Sequence, residues 1–212
     1  VLGESGKVPV SLDLPTGEGL IPGIVASDDF KRKKNDPKLP LVWQWNHNPD
    51  NSKWDINGKK GYFRLTTGRI DLDILSAKNM LTQRTIGPTC VGETKINVEK
   101  MKEGDLAGLM LLQAKYGYAG VKFENGKKYI VMVNAGADKP EEVERIPLKG
   151  KKVYFKATCD FTNLRDTADF FYSLDGKKWN KIGTSLRMKY TLPHFMGYRY
   201  GLCNYATKTT GG

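Results

Sequence analysis

Two hundred and twelve residues are enough to bury a core without disulfide or metal staples, and no apolar run is long enough to cross a membrane as a helix. Three cysteines, Cys90, Cys159 and Cys203, form an odd set without CxxC spacing, which fits neither a disulfide framework nor a zinc site. Thirty-four basic against 23 acidic residues leave a net charge of +11, which invites a nucleic-acid reading. The positions argue otherwise. Gly-Lys-Lys recurs at 58–60, 126–128, 150–152 and 176–178, three times directly after Asn or Asp. Asn-Gly and Asp-Gly suit tight hairpin turns, so the lysines are expected at turn tips dispersed around the molecule, with no nucleic-acid partner.

In chain order, residues 1–26 are rich in Gly and Pro and read as a tether or an edge strand, with Val8–Pro15 as an extended piece. Beyond them the pattern is strand-like at Tyr62–Leu65, after the Asn57-Gly58 turn, and at Leu81–Ile86. Lys95–Val98 alternates with period two. Ala107–Gln113 is a nearly continuous apolar run, expected of a central strand. Tyr118–Glu124 and Lys128–Val133 flank Asn125-Gly126 and predict a hairpin. Val153–Thr158 follows, then Asp169–Leu174, which turns at Asp175-Gly176 into Trp179–Ile182. Nothing sustains a 3.6-residue period, and Val98–Glu103 allows one helical turn at most. Many short strands with regular turns describe an all-β, antiparallel two-sheet sandwich of jelly-roll type.

The densest chemical signal is Trp43–Trp54, which holds three of the four tryptophans with amides, a histidine and a carboxylate between them. On a strand, Trp43 and Trp45 share a face. Indole faces beside Asn and Gln suit sugar rings, whose C–H patches stack while their hydroxyls pair with amides. The same indoles would equally serve a sandwich core. Catalytic chemistry is poorly signalled. Asp50, Asp55, Glu93, Glu99, Asp105, Asp160 and Asp169 could supply a glycosidase pair, yet no paired-acid signature joins them. No G-x-S-x-G elbow accompanies His47 and His194, and no H-E-x-x-H or EF-hand spacing occurs. Asp28-Asp29 is the one candidate for a structural Ca²⁺, with Asp28 as ligand.

Seven separated segments carry a resemblance. They are Asp28-Asp29-Phe30, the Trp43–Trp54 block, Leu81–Thr85, Gly87–Cys90, Gly104–Leu109, Gln113–Tyr118 and His194–Leu202. In this order they resemble the C-terminal concanavalin-A-like sandwich of family 43 glycoside hydrolases, the β-xylosidases and arabinofuranosidases. The likeness spans about residues 28–207 and implies a division into linker and end of a preceding domain, 1–26, and sandwich, 27–212. It implies a non-catalytic accessory domain of a xylan- or arabinoxylan-degrading enzyme whose catalytic carboxylates lie on a separate five-bladed propeller. Its partners would be that propeller and xylan or xylo-oligosaccharide, with no membrane. The residues it points to for sugar contact are Trp45, Asn46, Gln113, Tyr116, Tyr118, Tyr198 and Arg199, the aromatics stacking and Asn46, Gln113 and Arg199 pairing with hydroxyls. A stand-alone sandwich glycosidase or a lectin for plant polysaccharide is the alternative. Family members continue after the Gly-rich stretch into one more strand, which this chain, ending at Gly211-Gly212, does not include. Unpaired cysteines lean towards a reducing, cytoplasmic setting and leave an extracellular one open.

Overall fold

The computed structural model describes residues 26–137, 139–192 and 196–212. The expected extended piece at Val8–Pro15 and the loop histidine His194 lie outside them. Thirteen strands run in chain order: β1 Gln44–Trp45, β2 Trp54–Asn57, β3 Tyr62–Leu65, β4 Leu81–Arg84, β5 Thr89–Asn97, β6 Asp105–Leu112, β7 Gly117–Glu124, β8 Lys127–Asn134, β9 Glu141–Leu148, β10 Lys152–Asp160, β11 Thr167–Ser173, β12 Asn180–Arg187 and β13 Arg199–Ala206. Among the described residues, short 3-10 turns occur at Ile74–Ser76 and Thr162–Leu164. The helical turn allowed for Val98–Glu103 does not form; that segment is a pair of turns.

The pairings build a seven-stranded sheet, β1-β4-β13-β6-β7-β8-β9, a four-stranded sheet, β12-β11-β10-β5, and the separate hairpin β2-β3. Every strand pairing is antiparallel, as the sequence pattern implied. The two large sheets close on a core. Leu109, Leu111, Val121, Ile130 and Met132 come from one sheet, and Phe155, Ala157, Phe170, Ile182 and Leu186 from the other. The opposite face of the seven-stranded sheet carries a second apolar cluster of Leu106, Met110, Leu112, Tyr118, Val131 and Tyr205, packed with Ile74, Ala77 and Met80. Burial on both faces explains why β6 is hidden at every position and reads as one unbroken apolar run. Strand β9, Glu-Glu-Val-Glu-Arg-Ile-Pro-Leu, was not foreseen. It is an edge strand whose charges face solvent while Val143 and Ile146 pack on the core, and its proline sits where an edge tolerates it.

The hairpin turns obey their chemistry. Asn125 and Gly126 both take positive φ, 54° and 71°, the geometry of a two-residue turn whose twist matches the flanking strands. Register then corrects one expectation. Glu124↔Lys127, Lys128↔Leu148, Lys152↔Asn97 and Tyr154↔Ser173 put the turns at 125–126, 149–151 and 174–178 at the same end of the sandwich. Three of the four Gly-Lys-Lys turns are therefore gathered rather than dispersed; only 58–60, on the β2-β3 hairpin, lies apart.

Candidate functional site

The tryptophan block folds as a satellite of the main core. Phe63, on β3, is its centre. Its ring lies 5.4 Å from that of Phe30, 6.2 Å from Trp45 and 6.3 Å from Trp54. Trp45 and Trp54 are 5.2 Å apart, and Phe30 stacks on Trp43 at 5.7 Å. All five rings are half-buried, and their faces are largely taken by one another. Asp28 anchors the group. Its carboxylate accepts from Arg32 Nη1 and Nη2 (2.9 and 2.6 Å), from Trp43 Nε1 (2.8 Å) and from the Phe30 backbone N–H (2.7 Å). That last bond holds Phe30 at φ 54°, a conformation unfavourable for a bulky residue. Burial by itself would raise the Asp28 pKa; the bonds from Arg32, Trp43 and Phe30 and the charge of Arg32 outweigh it and leave the carboxyl below its ordinary value. These residues do not fit Ca²⁺. Both oxygens of Asp28 are engaged by donors, one of them a guanidinium, and among the described residues no group of three or more acidic, His or Cys side chains could hold a metal.

Three of the seven residues picked for sugar contact lie at the β1 end of the seven-stranded sheet, but register does not bring their side chains together: Arg199 shares a face with Gln44 and Thr82, and Trp45, next to Gln44, takes the opposite one. Trp45 on β1 pairs with Leu81, Asn46 donates its backbone N–H to Met80 O (3.0 Å), and Arg199 on β13 reaches Gln44 Oε1 and Thr82 Oγ1. Burial, with the nearby charge of Arg84, lowers the Arg199 pKa. The other four are enclosed. Gln113 is fully buried, its Nε2 donating to Met196 O (2.8 Å) and its Oε1 accepting from Ala114 N and Thr191 Oγ1. Tyr198 is 6% exposed, donates its hydroxyl to Lys115 O and accepts from Lys189 N–H. Tyr116 and Tyr118 are each 5% exposed and stack on one another within the second apolar cluster. A sugar cannot reach these four without displacing the protein around them, because their polar atoms and ring faces already hold the fold. As for catalysis, Asp50, Glu93, Glu99, Asp105, Asp160 and Asp169 are each tied to local donors such as Ser52, Lys156, Lys151, the Lys102 N–H, Thr162 and Lys181.

A polar cleft of about 130 Å³ lies at the base of the β2-β3 hairpin, lined by Asp50, Lys53, Thr67, Asp71, Asn79 and Asn204 among others. Asn204 Oδ1 is the one buried side-chain atom without a partner among the described residues. None of the seven picked residues lines this cleft.

Two further surfaces lie away from this aromatic satellite. At the end of the sandwich opposite the lysine turns, Leu164, Tyr190 and Leu192 are 81%, 64% and 68% exposed. Their loops, β10–β11 and β12–β13, are joined by bonds from Arg187 to Leu164 O and Arg165 O and from Met188 N–H to Asp166 O. The second surface is the outer face of the four-stranded sheet. There Lys156 lies 4.1 Å from the Trp179 ring centroid and 5.5 Å from that of Phe171, and Lys95 lies 5.2 Å from that of Tyr154. Sequence reasoning passed over Trp179 because it stands alone. The signal was available: Tyr154 and Lys156, and likewise Asp169 and Phe171, fall on outward positions once Phe155 and Phe170 are assigned to the core.

A two-sheet antiparallel sandwich with the carboxylates of Asp50, Glu93, Glu99, Asp105, Asp160 and Asp169 tied to local donors and its aromatics on the flanks is a concanavalin-A-like domain. Residues 27–212 match the β-xylosidase C-terminal concanavalin A-like domain family, and the chain belongs to it. It is 27% identical over 207 residues to a β-xylosidase of Formosa agariphila, covering 87% of this chain and 33% of that protein. A solved structure of a bifunctional GH43-CE protein of Bacteroides eggerthii superposes with TM-score 0.92 at 60% identity, over 99% of this chain and 27% of the other. A GH43 glycoside hydrolase engineered for endo-xylanase and exo-arabinofuranosidase activity superposes with TM-score 0.81 at 29% identity, over 94% of this chain and 40% of that one. The chain thus spans about a third of the curated β-xylosidase and less than half of either solved protein.

Proposed function

We propose that this domain is a non-catalytic accessory that packs on the catalytic domain of a xylan- or arabinoxylan-degrading family 43 enzyme. The observation that carries the reading is the apolar end formed by Leu164, Tyr190 and Leu192. Large apolar side chains on hydrogen-bonded loops, exposed together, are what an interdomain contact covers. The alternative within the same reading, independent capture of xylan, rests on Trp45, Asn46 and Arg199 alone, since Gln113, Tyr116, Tyr118 and Tyr198 are enclosed.

Calorimetric titration of this domain with xylohexaose, and with cellohexaose as control, separates the two roles. Docking predicts no heat with either sugar from a folded domain. Binding of xylohexaose alone, lost in Trp45→Ala without unfolding, would make it a xylan module instead. In the full-length enzyme the docking role predicts that Tyr190→Asp with Leu192→Asp weakens the domain contact and lowers turnover, while the isolated domain melts as before.

A further inference from the structure

Among the half-buried rings of this molecule, Trp179 is set apart by what surrounds it. Trp43 and Trp54 donate their indole N–H groups to Asp28 and Asn51, and their ring faces meet other rings. The Trp179 N–H, like that of Trp45, has no partner among the described residues, but where the Trp45 ring meets Trp54 and Phe63, the ring neighbours of Trp179 are a lysine and, through that lysine, Phe171. The face around it is regular. Glu93, Lys156, Phe171 and Lys181 lie in one row across β5, β10, β11 and β12, with Lys95 and Tyr154 in the next. Along its rim run Lys177 and Lys178, at the Asp175-Gly176 turn, and Lys152; none of the three has an ion-pair partner among the described residues. Asp175 itself is taken up by the turn, accepting from Ser173 Oγ and from the Lys177 and Lys178 N–H groups. Glu93 reaches Lys156 at 3.8 Å, and Asp169 pairs with Lys181 at 2.8 Å. Six lysines thus face three carboxylates, all three already engaged. Turn chemistry asks for Asp-Gly and does not ask for the lysines that follow it.

We propose that this outer face of the four-stranded sheet, centred on Trp179, Phe171 and Tyr154 and rimmed by Lys177, Lys178 and Lys152, is a binding surface for a carboxylate-bearing glycan. A sugar ring lays its C–H patch on aromatic surface that Lys156 leaves uncovered and offers hydroxyls to the free indole N–H, while its carboxylate pairs with the unpaired rim ammonium groups of Lys177, Lys178 or Lys152. A neutral glycan would gain the stacking and lose the ion pair. A phosphate polymer is served less well. The row across the sheet holds lysine and no arginine, so it lacks the bidentate fork that phosphate favours. The face is distinct from the Trp45 edge and from the apolar loop end, so it stands whether or not the domain docks as described above.

The test is affinity measured by calorimetry at low salt on the whole chain. The probe is a xylo-oligosaccharide carrying one uronic-acid branch, compared with the same oligosaccharide after reduction of its carboxyl to the alcohol. The acid form should bind about tenfold or more tightly than the reduced form, as expected for loss of one charge-assisted contact. Trp179→Ala should weaken binding about three- to tenfold, with Trp179→Phe retaining most of it. The surface pair Lys177→Glu and Lys178→Glu, which leaves the core untouched, should weaken it as well. The same charge change at Lys59 and Lys60, on the distant hairpin, should not, and neither should Trp45→Ala. Equal affinity for acid and reduced forms, absence of binding by a folded domain, loss of affinity in Trp45→Ala but not in Trp179→Ala, or tighter binding of oligodeoxythymidylate than of the acid sugar would each overturn the assignment.

Discussion

Two aromatic regions of this domain are built from the same residue types and do different things. Around Phe63, rings pack on rings: Phe30, Trp43, Trp45 and Trp54 cover one another, and Asp28 ties the group to Arg32 and Trp43. Around Trp179, rings lie under lysines on an open sheet face. In the first region aromatic surface has been removed from water to hold a two-stranded hairpin that could not stand alone. In the second the cations remain next to solvent, and the rings remain half-available. A crowded run of tryptophans in a sequence is therefore a weaker sign of a ligand surface than a solitary one placed on the exposed side of a sheet.

Substitution can break or sharpen that contrast. The largest loss is expected from Asp28→Ala, about 3 kcal/mol by chemical denaturation, because a nearly buried Arg32 loses its ion-pair partner and Trp43 loses its acceptor. Its pH dependence has a fixed sign. The folded-state pKa of Asp28 is depressed, so its contribution is fully present above the ordinary carboxyl value of 3.8 and disappears as pH falls through the lower folded value. The wild-type should lose this increment in acid, and Asp28→Ala should show a flatter acid limb.

Trp45→Ala should cost about 2 kcal/mol, less than a fully buried tryptophan because its site is half-open. Trp179→Ala should cost under about 1 kcal/mol, the worth of an exposed cation–π contact. If the two truncations proved equal in stability, the distinction between a packed cluster and an available platform would fall.

The smallest effect concerns chemistry rather than stability. Cys90 and Cys159 are directly opposite on β5 and β10, and Tyr200 Oη lies 3.2 and 3.3 Å from their sulfurs. The hydrogen bond from Cys159, with those from Tyr200 and the Ile86 N–H and against an opposing effect of burial, holds the Cys90 thiol below its ordinary value, while Cys159 is pushed up. Burial pushes Cys203 up to about 12. Alkylation should therefore label Cys90 first, with a rate that rises at a pH below the ordinary thiol value of 9.0. Labelling of Cys203 ahead of Cys90 in the folded domain would contradict this order.

Much of the architecture was written in local pattern. The apolar run of β6, the alternation at Lys95–Val98 and the Asn125-Gly126 turn each specify a strand or a hairpin through contacts only a few residues long. The seven motif segments carried the family. Charged β9 was missed because an edge strand needs few inward apolar residues, and here Val143 and Ile146 suffice. The binding residues were less legible. Gln113 and Tyr198 look like sugar ligands by type, and their partners, Met196, Thr191, Lys115 and Lys189, are supplied by loops that sequence spacing does not place.

The sequence by itself determined that this is an all-β sandwich, because side-chain period and turn residues act locally. Tertiary structure alone decided which aromatics face each other and which face solvent, and that three lysine-bearing turns share one end. Those outcomes depend on strand register and sheet order. A one-residue slip in register would exchange every inward and outward side chain while leaving the local pattern of composition and turns unchanged.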